Sequence, residues 1–338
     1  MYTDKLIRKV VVFLAFTLCL VQKMTAFETF KFSVAPKYAF QNGQLDEIVL
    51  YANGNQLSEL NWQIDKMSLL GFNATVGWEM ILIEANCLWG IPKSSGTMYD
   101  SDWQNESNYG MKTDYSESDN NVDYLGNIEI KFGLNIKTWD FFNINPYFGF
   151  SYDKIAFFAE DGIGYYGSWK DPYVAYNDSN VECINLYEFQ VSKVGDSASH
   201  DVITYNRETF NYIVGVKSNF KFWKRFRISL DIGISVFTLI NSLDHHVMKE
   251  IINPSKYSYF CDKMQGFFKS FNLGTEVDVK IWKGFSAGAG FKFVYINQLV
   301  GSNNQKKSSE IKYTESSNTN AAAKGYTYNI EAFVRYSF

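Results

Sequence analysis

Two short stretches of the 338-residue sequence carry side chains able to move a proton. In Gly96-Thr97-Met98-Tyr99-Asp100-Ser101-Asp102-Trp103, two carboxylates stand two residues apart at the end of an apolar run. Far downstream, Ser242-Leu243-Asp244-His245-His246 repeats the spacing with a carboxylate and an imidazole. In an extended chain residues i and i+2 share a face, so each stretch presents its pair to one space. An imidazole beside a carboxylate is a general base, because the acid fixes its tautomer and stabilises the cation formed on proton uptake. Two carboxylates on one face would share a solvent pocket, each raising the proton affinity of the other. His245, His246 and a carboxylate could instead take a metal ion, but their spacing matches no recognised zinc motif.

Strands are the elements that could bring such distant pairs together. From Glu28 onward the sequence alternates at period two: across Asn127 to Ile136 every even position is apolar and every odd one is polar or glycine. Arg227 to Val236, Asn272 to Ile281 and Tyr326 to Phe338 repeat the pattern. A soluble sandwich would alternate too. The strand-like runs, however, reach roughly 15 to 20 residues against about five or six in most sheets. Connections are alternately short and long, and aromatics gather near strand ends, as in the girdles of membrane barrels. Short links fall near Glu79-Met80, Trp139 to Asn145, Phe222 to Arg225 and Trp282 to Gly284. Long polar ones run Ser101 to Asn121, Ser168 to His200, His245 to Tyr257 and Gly301 to Ala323.

The expected fold class is therefore all-β, a transmembrane antiparallel β-barrel of about ten strands with long extracellular loops. Strand starts are expected near Ala35, Leu57, Leu82, Val122, Pro146, Val202, Phe226, Ser258, Phe285 and Lys324. Hydrocarbon forces such a sheet to close, because an open edge leaves backbone groups unpaired. On the third strand Ile83, Ala85, Cys87, Trp89 and Ile91 take the apolar face. Even positions, Asp100 and Asp102 included, then face the lumen if no bulge intervenes.

Composition agrees. Aromatics make up 18% of the chain and mean hydropathy is slightly negative, which excludes a bundle of membrane helices but not a barrel with a polar interior. A net charge of −4 leaves no nucleic-acid footprint. Lys5, Arg8 and Lys9 precede the apolar run Val10 to Val21, and Ala26 offers a cleavage site, so residues 1–26 read as an export signal and 27–338 as one domain. Cys87, Cys183 and Cys261 remain after its removal and permit one disulfide at most. Cys183 with Cys261, both near loop ends, is one reading and three unpaired thiols the other.

The Met-x-Asp-x-Asp-Trp context of Asp100 and Asp102, followed downstream by Asp244-His245-His246, resembles the omptin family of outer-membrane proteases. Leu60-Asn61-Trp62, Leu134 to Trp139 and the closing Tyr336-Ser337-Phe338 extend the likeness over nearly all of the mature chain. The resemblance implies an endopeptidase in the bacterial outer membrane, acting on peptides or proteins at the extracellular rim without a metal or other cofactor. It also implies a catalytic Asp244–His246 dyad facing an Asp100–Asp102 couple, with water as nucleophile, so neither Ser101 nor Ser242 is expected to attack. Omptins favour a basic residue before the cut. Glu47 matches one acidic position of that pocket, whereas Ser242 stands where the family commonly has an acid, so relaxed stringency is expected. Omptins also need lipopolysaccharide, and Lys154, Arg207 and Lys263 match the basic positions of that outer-wall site, while Phe150 and Tyr152 depart from it. A noncatalytic adhesin or loop-display barrel is the alternative. A passive pore fits poorly, because about ten strands leave little open lumen.

Overall fold

The computed structural model describes residues 30–167, 181–195, 200–223 and 225–338; the expected export signal lies outside the described residues. Long runs of alternating side chains form long strands: β1 (Phe30–Tyr51), β2 (Gln56–Trp78), β3 (Ile81–Gly90), β4 (Lys93–Asp102), β5 (Asp114–Leu134), β6 (Ile136–Trp139) and β7 (Phe142–Tyr166). The second half adds β8 (Glu182–Asn185), β9 (Asp201–Phe222), β10 (Phe226–His245), β11 (Tyr259–Gly266), β12 (Ser270–Trp282), β13 (Phe285–Lys306) and β14 (Thr314–Ser337). Short helices α1 (Leu186–Val194) and α2 (Val247–Ile252) lie in the connections.

Every strand pairing is antiparallel, and β1 pairs with β14 from Ser33↔Ser337 to Tyr51↔Thr319, so the sheet closes on itself. β3 and β4 both pair with β2 and β5, and β11 and β12 both with β10 and β13; each couple is one stave interrupted in the middle. With β6 continuing β5 and β8 added to the end of β7, the wall has the ten staves expected.

The tight turns fall where the sequence places them, but two of the long loops are shorter than expected. β4 and β5 narrow the first to 103–113, and β13 and β14 narrow the last to 307–313. Their strands continue with polar residues on both faces, a composition that reads as loop although the ladder persists. Strands of 20 to 25 residues in β1, β2, β7 and β10 exceed the ~9–11 needed to cross a bilayer, so roughly half of the barrel stands clear of it.

Exposed apolar side chains locate the crossing half at the tight-turn end. They include Leu70, Ile83, Ile128, Phe132, Val214, Ile232, Val277 and Ile330, flanked at the turns by Trp78, Trp139, Trp223 and Trp282. Within this half the lumen is filled by ion pairs, among them Lys37–Glu331 at 2.7 Å, Lys217–Glu84 at 2.8 Å and Arg335–Asp278 at 2.6 Å. Above them the lumen turns apolar. Leu60, Met67, Leu69, Met98 and Phe157 are buried there, each contributing about 1.5–3 kcal/mol, and Trp62 stacks on Phe157 and Tyr205 with centroids 5.2 and 5.5 Å apart. This aromatic floor separates the charged plug from the loop end.

Candidate active site

Two irregularities decide where Asp100 and Asp102 point. In β3, Asn86 and Leu88 are buried, so even positions face in. After the interruption at Ile91-Pro92 the buried residue is Ser95, an odd one. A bulge between Ser94 and Thr97 then restores even parity, with Met98 buried. Gly96 takes φ +75 inside this bulge, while Ser95 Oγ donates to the Gln63 carbonyl at 3.2 Å and the Thr97 N–H to Gln63 Oε1 at 3.0 Å. The two parity changes cancel, and Asp100 and Asp102 end on the inner wall.

β10 uses one bulge for the same purpose. Below it Ile228, Leu230, Ile232 and Ile234 face outward, and the alternation continued unbroken would turn Ser242 and Asp244 outward too. The register shift between Ser235 and Phe237 reverses the parity, so Thr238, Ile240, Ser242 and Asp244 are buried inside. His246 follows as the residue preceding α2, and its N–H donates to the Ser258 carbonyl at 2.8 Å. α1 backs this segment, with Gln190 Nε2 at 3.9 Å from Met248 Sδ.

Asp100, Asp102, Asp244 and His246 thus line one cleft of about 920 Å³ at the loop end, together with Glu47 and Lys249. Nε2 of His246 lies 2.6 Å from Oδ2 of Asp244, which is 4% exposed. With the carboxylate accepting the Nε2–H, the lone pair of the neutral ring sits on Nδ1. Across the cleft, Gln104 Nε2 donates to Asp102 Oδ2 at 3.1 Å, and Oδ1 of Asp100 is buried without a hydrogen-bond partner. Burial, followed by the charges of Asp102 and Asp244, holds the Asp100 carboxyl well above the usual carboxylate range, while Lys249 pulls it down. Asp102 is also raised by burial, against hydrogen bonds from Ser58 and Gln104 and the charges of Lys249 and His246. Each arm is therefore within electrostatic reach of the other, and the acid couple favours retaining a proton. Such a set can deprotonate a water molecule on the imidazole side and hold it by hydrogen bonds on the acid side.

The remaining expected residues divide. Glu47 lines the cleft and is 4% exposed. Ser242 is buried in the same wall between Arg207 on β9 and Asp262 on β11. His245 turns away from the cleft, with Nε2 2.7 Å from Glu250 Oε2 and its ring stacked on Tyr259. Lys154 and Lys263 are on the outer wall, but Arg207 is not. It is 1% exposed and turned into the lumen, with Nη1 donating to the Lys324 carbonyl at 3.1 Å. Phe210, Tyr212 and Val214 set the outward parity of β9, which leaves odd positions inside; the outward neighbour is Glu208, which pairs with Lys154 at 2.9 Å. The disulfide reading also fails, since Cys87, Cys183 and Cys261 are free thiols. Cys183 pairs against β7 and Cys261 against β10 and β13, and β9 and β10 stand between β7 and β11, beyond disulfide reach. Asp262 was not anticipated: it lines the cleft and is 3% exposed.

The profile of the Omptin family matches residues 29–338. No curated protein sequence matches the chain. Among solved structures, the outer membrane protease OmpT from Escherichia coli is similar at a TM-score of 0.75 and 15% identity, over 94% of this chain and 99% of that one. The translocator domain of the autotransporter NalP from Neisseria meningitidis gives a TM-score of 0.33 at 8% identity, over 99% and 98% of the two chains, too low to bear on the fold.

Proposed function

The chain belongs to the omptin family of outer-membrane proteases, and on that premise we propose that it cuts peptide bonds next to basic residues with a water molecule activated between the His246–Asp244 dyad and the Asp100–Asp102 couple. The observation that carries this reading is the 2.6 Å contact of His246 with a buried Asp244 in the cleft that also holds both opposing acids. Nδ1 of His246 takes a proton from water as its oxygen attacks the scissile carbonyl carbon, giving a tetrahedral oxyanion and an imidazolium stabilised by Asp244. The imidazolium then protonates the departing amine as the carbon–nitrogen bond breaks, which regenerates the neutral ring and releases an acid and an amine. Asp100 holds the attacking water, and burial first and then the charge of Asp102 keep its carboxyl proton-retaining. Glu47, buried at the inner wall, attracts the basic side chain.

In this reading the cleft opens on the extracellular side, as loop ends of outer-membrane barrels do. Lipopolysaccharide contacts the outer wall through Lys154 and Lys263, which flank Glu208 and Asn241 in one row across β7, β9, β10 and β11. With Arg207 inside and Glu208 in the row, two cations and one acid replace the three cations expected, and the lipid's grip is correspondingly weaker.

The test is turnover of Arg- and Lys-containing peptides by purified protein, by Asp100→Ala and by His246→Ala, with folding checked by the mobility of unheated samples on gels. Loss of hydrolysis of about 100-fold or more in folded variants is expected. Equal turnover by wild type and both variants would instead favour a noncatalytic adhesin or loop-display barrel.

A further inference from the structure

The cleft contains more buried acid than the hydrolytic steps use. Asp244 is engaged by His246, and Asp100 and Asp102 form the opposing couple. That leaves Glu47 on β1 and Asp262 on β11, 4% and 3% exposed, both on the lining and, among the described residues, neither in an ion pair. Asp262 Oδ1 accepts the Asn304 N–H at 3.3 Å. Glu47 Oε2 is buried with no hydrogen-bond partner, as is Oδ1 of Asn303, the residue opposite Asp262 on β13. Buried carboxylates without a cation are costly, and a site that keeps two of them on a solvent-reached wall is built for a cation that comes and goes.

The register gives Asp262 its meaning. Asp262 stands directly across the β10–β11 ladder from Ser242, the position at which the resemblance leads one to look for an acid and at which this chain has none. Cross-strand partners have side chains about 4.5–5.5 Å apart on one face, so the carboxylate is displaced by one strand rather than lost. We propose that Asp262, together with Glu47, grips the cationic side chain of the substrate residue before the cut, which gives this enzyme a stringent rather than a relaxed preference for a basic residue. The inference rests on the peptidase reading above and assigns the determinant of its specificity.

The surroundings agree. The groups around the two acids are Asp244 from β10, Asp100 from β4, Trp62 from β2, Tyr205 from β9 and Asn303 from β13, with Arg207 of β9 beside Tyr205. Arg207 Nη1 donates to the Lys324 carbonyl and its Nε to Thr209 Oγ1 at 3.4 Å, Nη2 is buried without a hydrogen-bond partner, and Arg207 forms no ion pair with either acid among the described residues. Burial, and after it the charge of Asp244, pushes the Asp262 carboxyl up to about 8; burial, then Asp244 and Asp262, raises Glu47 as well. A guanidinium or ammonium entering the pocket reverses both penalties and displaces the retained protons.

The experiment compares kcat/KM on two peptides that differ only in arginine or citrulline before the cut, an isosteric pair differing in charge. Wild type should prefer arginine. Asp262→Asn should lower the arginine-to-citrulline ratio of kcat/KM about 10- to 100-fold. The double variant Asp262→Asn/Ser242→Asp, which returns one acid to the row, should restore the preference, and it carries the test if the single variant does not fold. An unchanged ratio in Asp262→Asn, or no recovery in the double variant, overturns the assignment while leaving the peptidase intact. A wild type that cleaves neither peptide removes the peptidase reading and this inference together.

Discussion

Burial without compensation marks the residues on which the account depends, and it predicts how stability responds to pH. Asp262 titrates near 3.8 when unfolded and near 8 in the fold, so between those values the folded chain binds more protons than the unfolded one. Stability must therefore fall as pH rises through that window, with the full penalty present above about pH 8. Asp262→Asn should raise Tm above pH 8, leave it near wild type below pH 4 and flatten the slope between, by an amount on the order of a few kcal/mol. A steeper slope in the variant, measured by thermal unfolding across that range, would contradict this. At this scale the sequence was a partial guide. Asp100, Asp102, Asp244 and His246 could be picked out because strand geometry turns an i, i+2 spacing into a shared face. Asp262, in Phe260-Cys261-Asp262-Lys263-Met264, carried no such signal, since its role comes from a neighbour twenty positions away in sequence and adjacent only through the ladder. Arg207 was assigned to the wrong wall by one position, although the alternation of Phe210, Tyr212 and Val214 already implied an inward side chain.

Bulges are the elements that aim the site, and the alternation of the sequence shows the one in β10 but not the one in β4. The inward aim of Asp100 and Asp102 follows from unbroken even parity in the sequence and from two cancelling parity changes in the fold, so the same outcome has a different cause. In β10 the adjacent apolar pair Val236-Phe237 breaks the alternation and marks the bulge that turns Asp244 inward. Gly96 is an exacting point of the β4 bulge, because its φ of +75 suits glycine and an added Cβ would crowd Gln63 Oε1, which accepts the Thr97 N–H. Gly96→Val should cost about 1–3 kcal/mol and, by re-aiming β4, lower peptide turnover at least about tenfold in protein that still folds. Wild-type turnover in that variant would show that the bulge does not position the acids.

Across the whole molecule, long strands set one face in lipid and lift the other end clear of it. The turn-end lumen is closed by ion pairs such as Lys37–Glu331 and by the aromatic floor around Trp62, which leaves the cleft open at the loop end alone and argues against a conducting pore. Strand number, closure and short turns were readable because lipid on one side and water on the other impose a clean period of two. The extent of the loops was not, because above the membrane both faces of a strand meet water and the apolar signal disappears. The outer row of Lys154, Glu208, Asn241 and Lys263 places the lipid question at this scale too. Lipopolysaccharide added to protein in lipid-free detergent should raise activity modestly, and Glu208→Gln should strengthen that response; full activity unchanged by the lipid in both proteins would remove the lipid contact.

Chemical rescue bears most directly on the claim that an imidazole and an opposing acid activate water between them. Hydrolysis of an arginine peptide would be followed for wild type, His246→Ala and Asp100→Ala, each with and without added imidazole. The account predicts that turnover falls about 100- to 10,000-fold in both variants, and that imidazole restores part of it to His246→Ala and none to Asp100→Ala. Turnover in folded His246→Ala equal to that of wild type would contradict it.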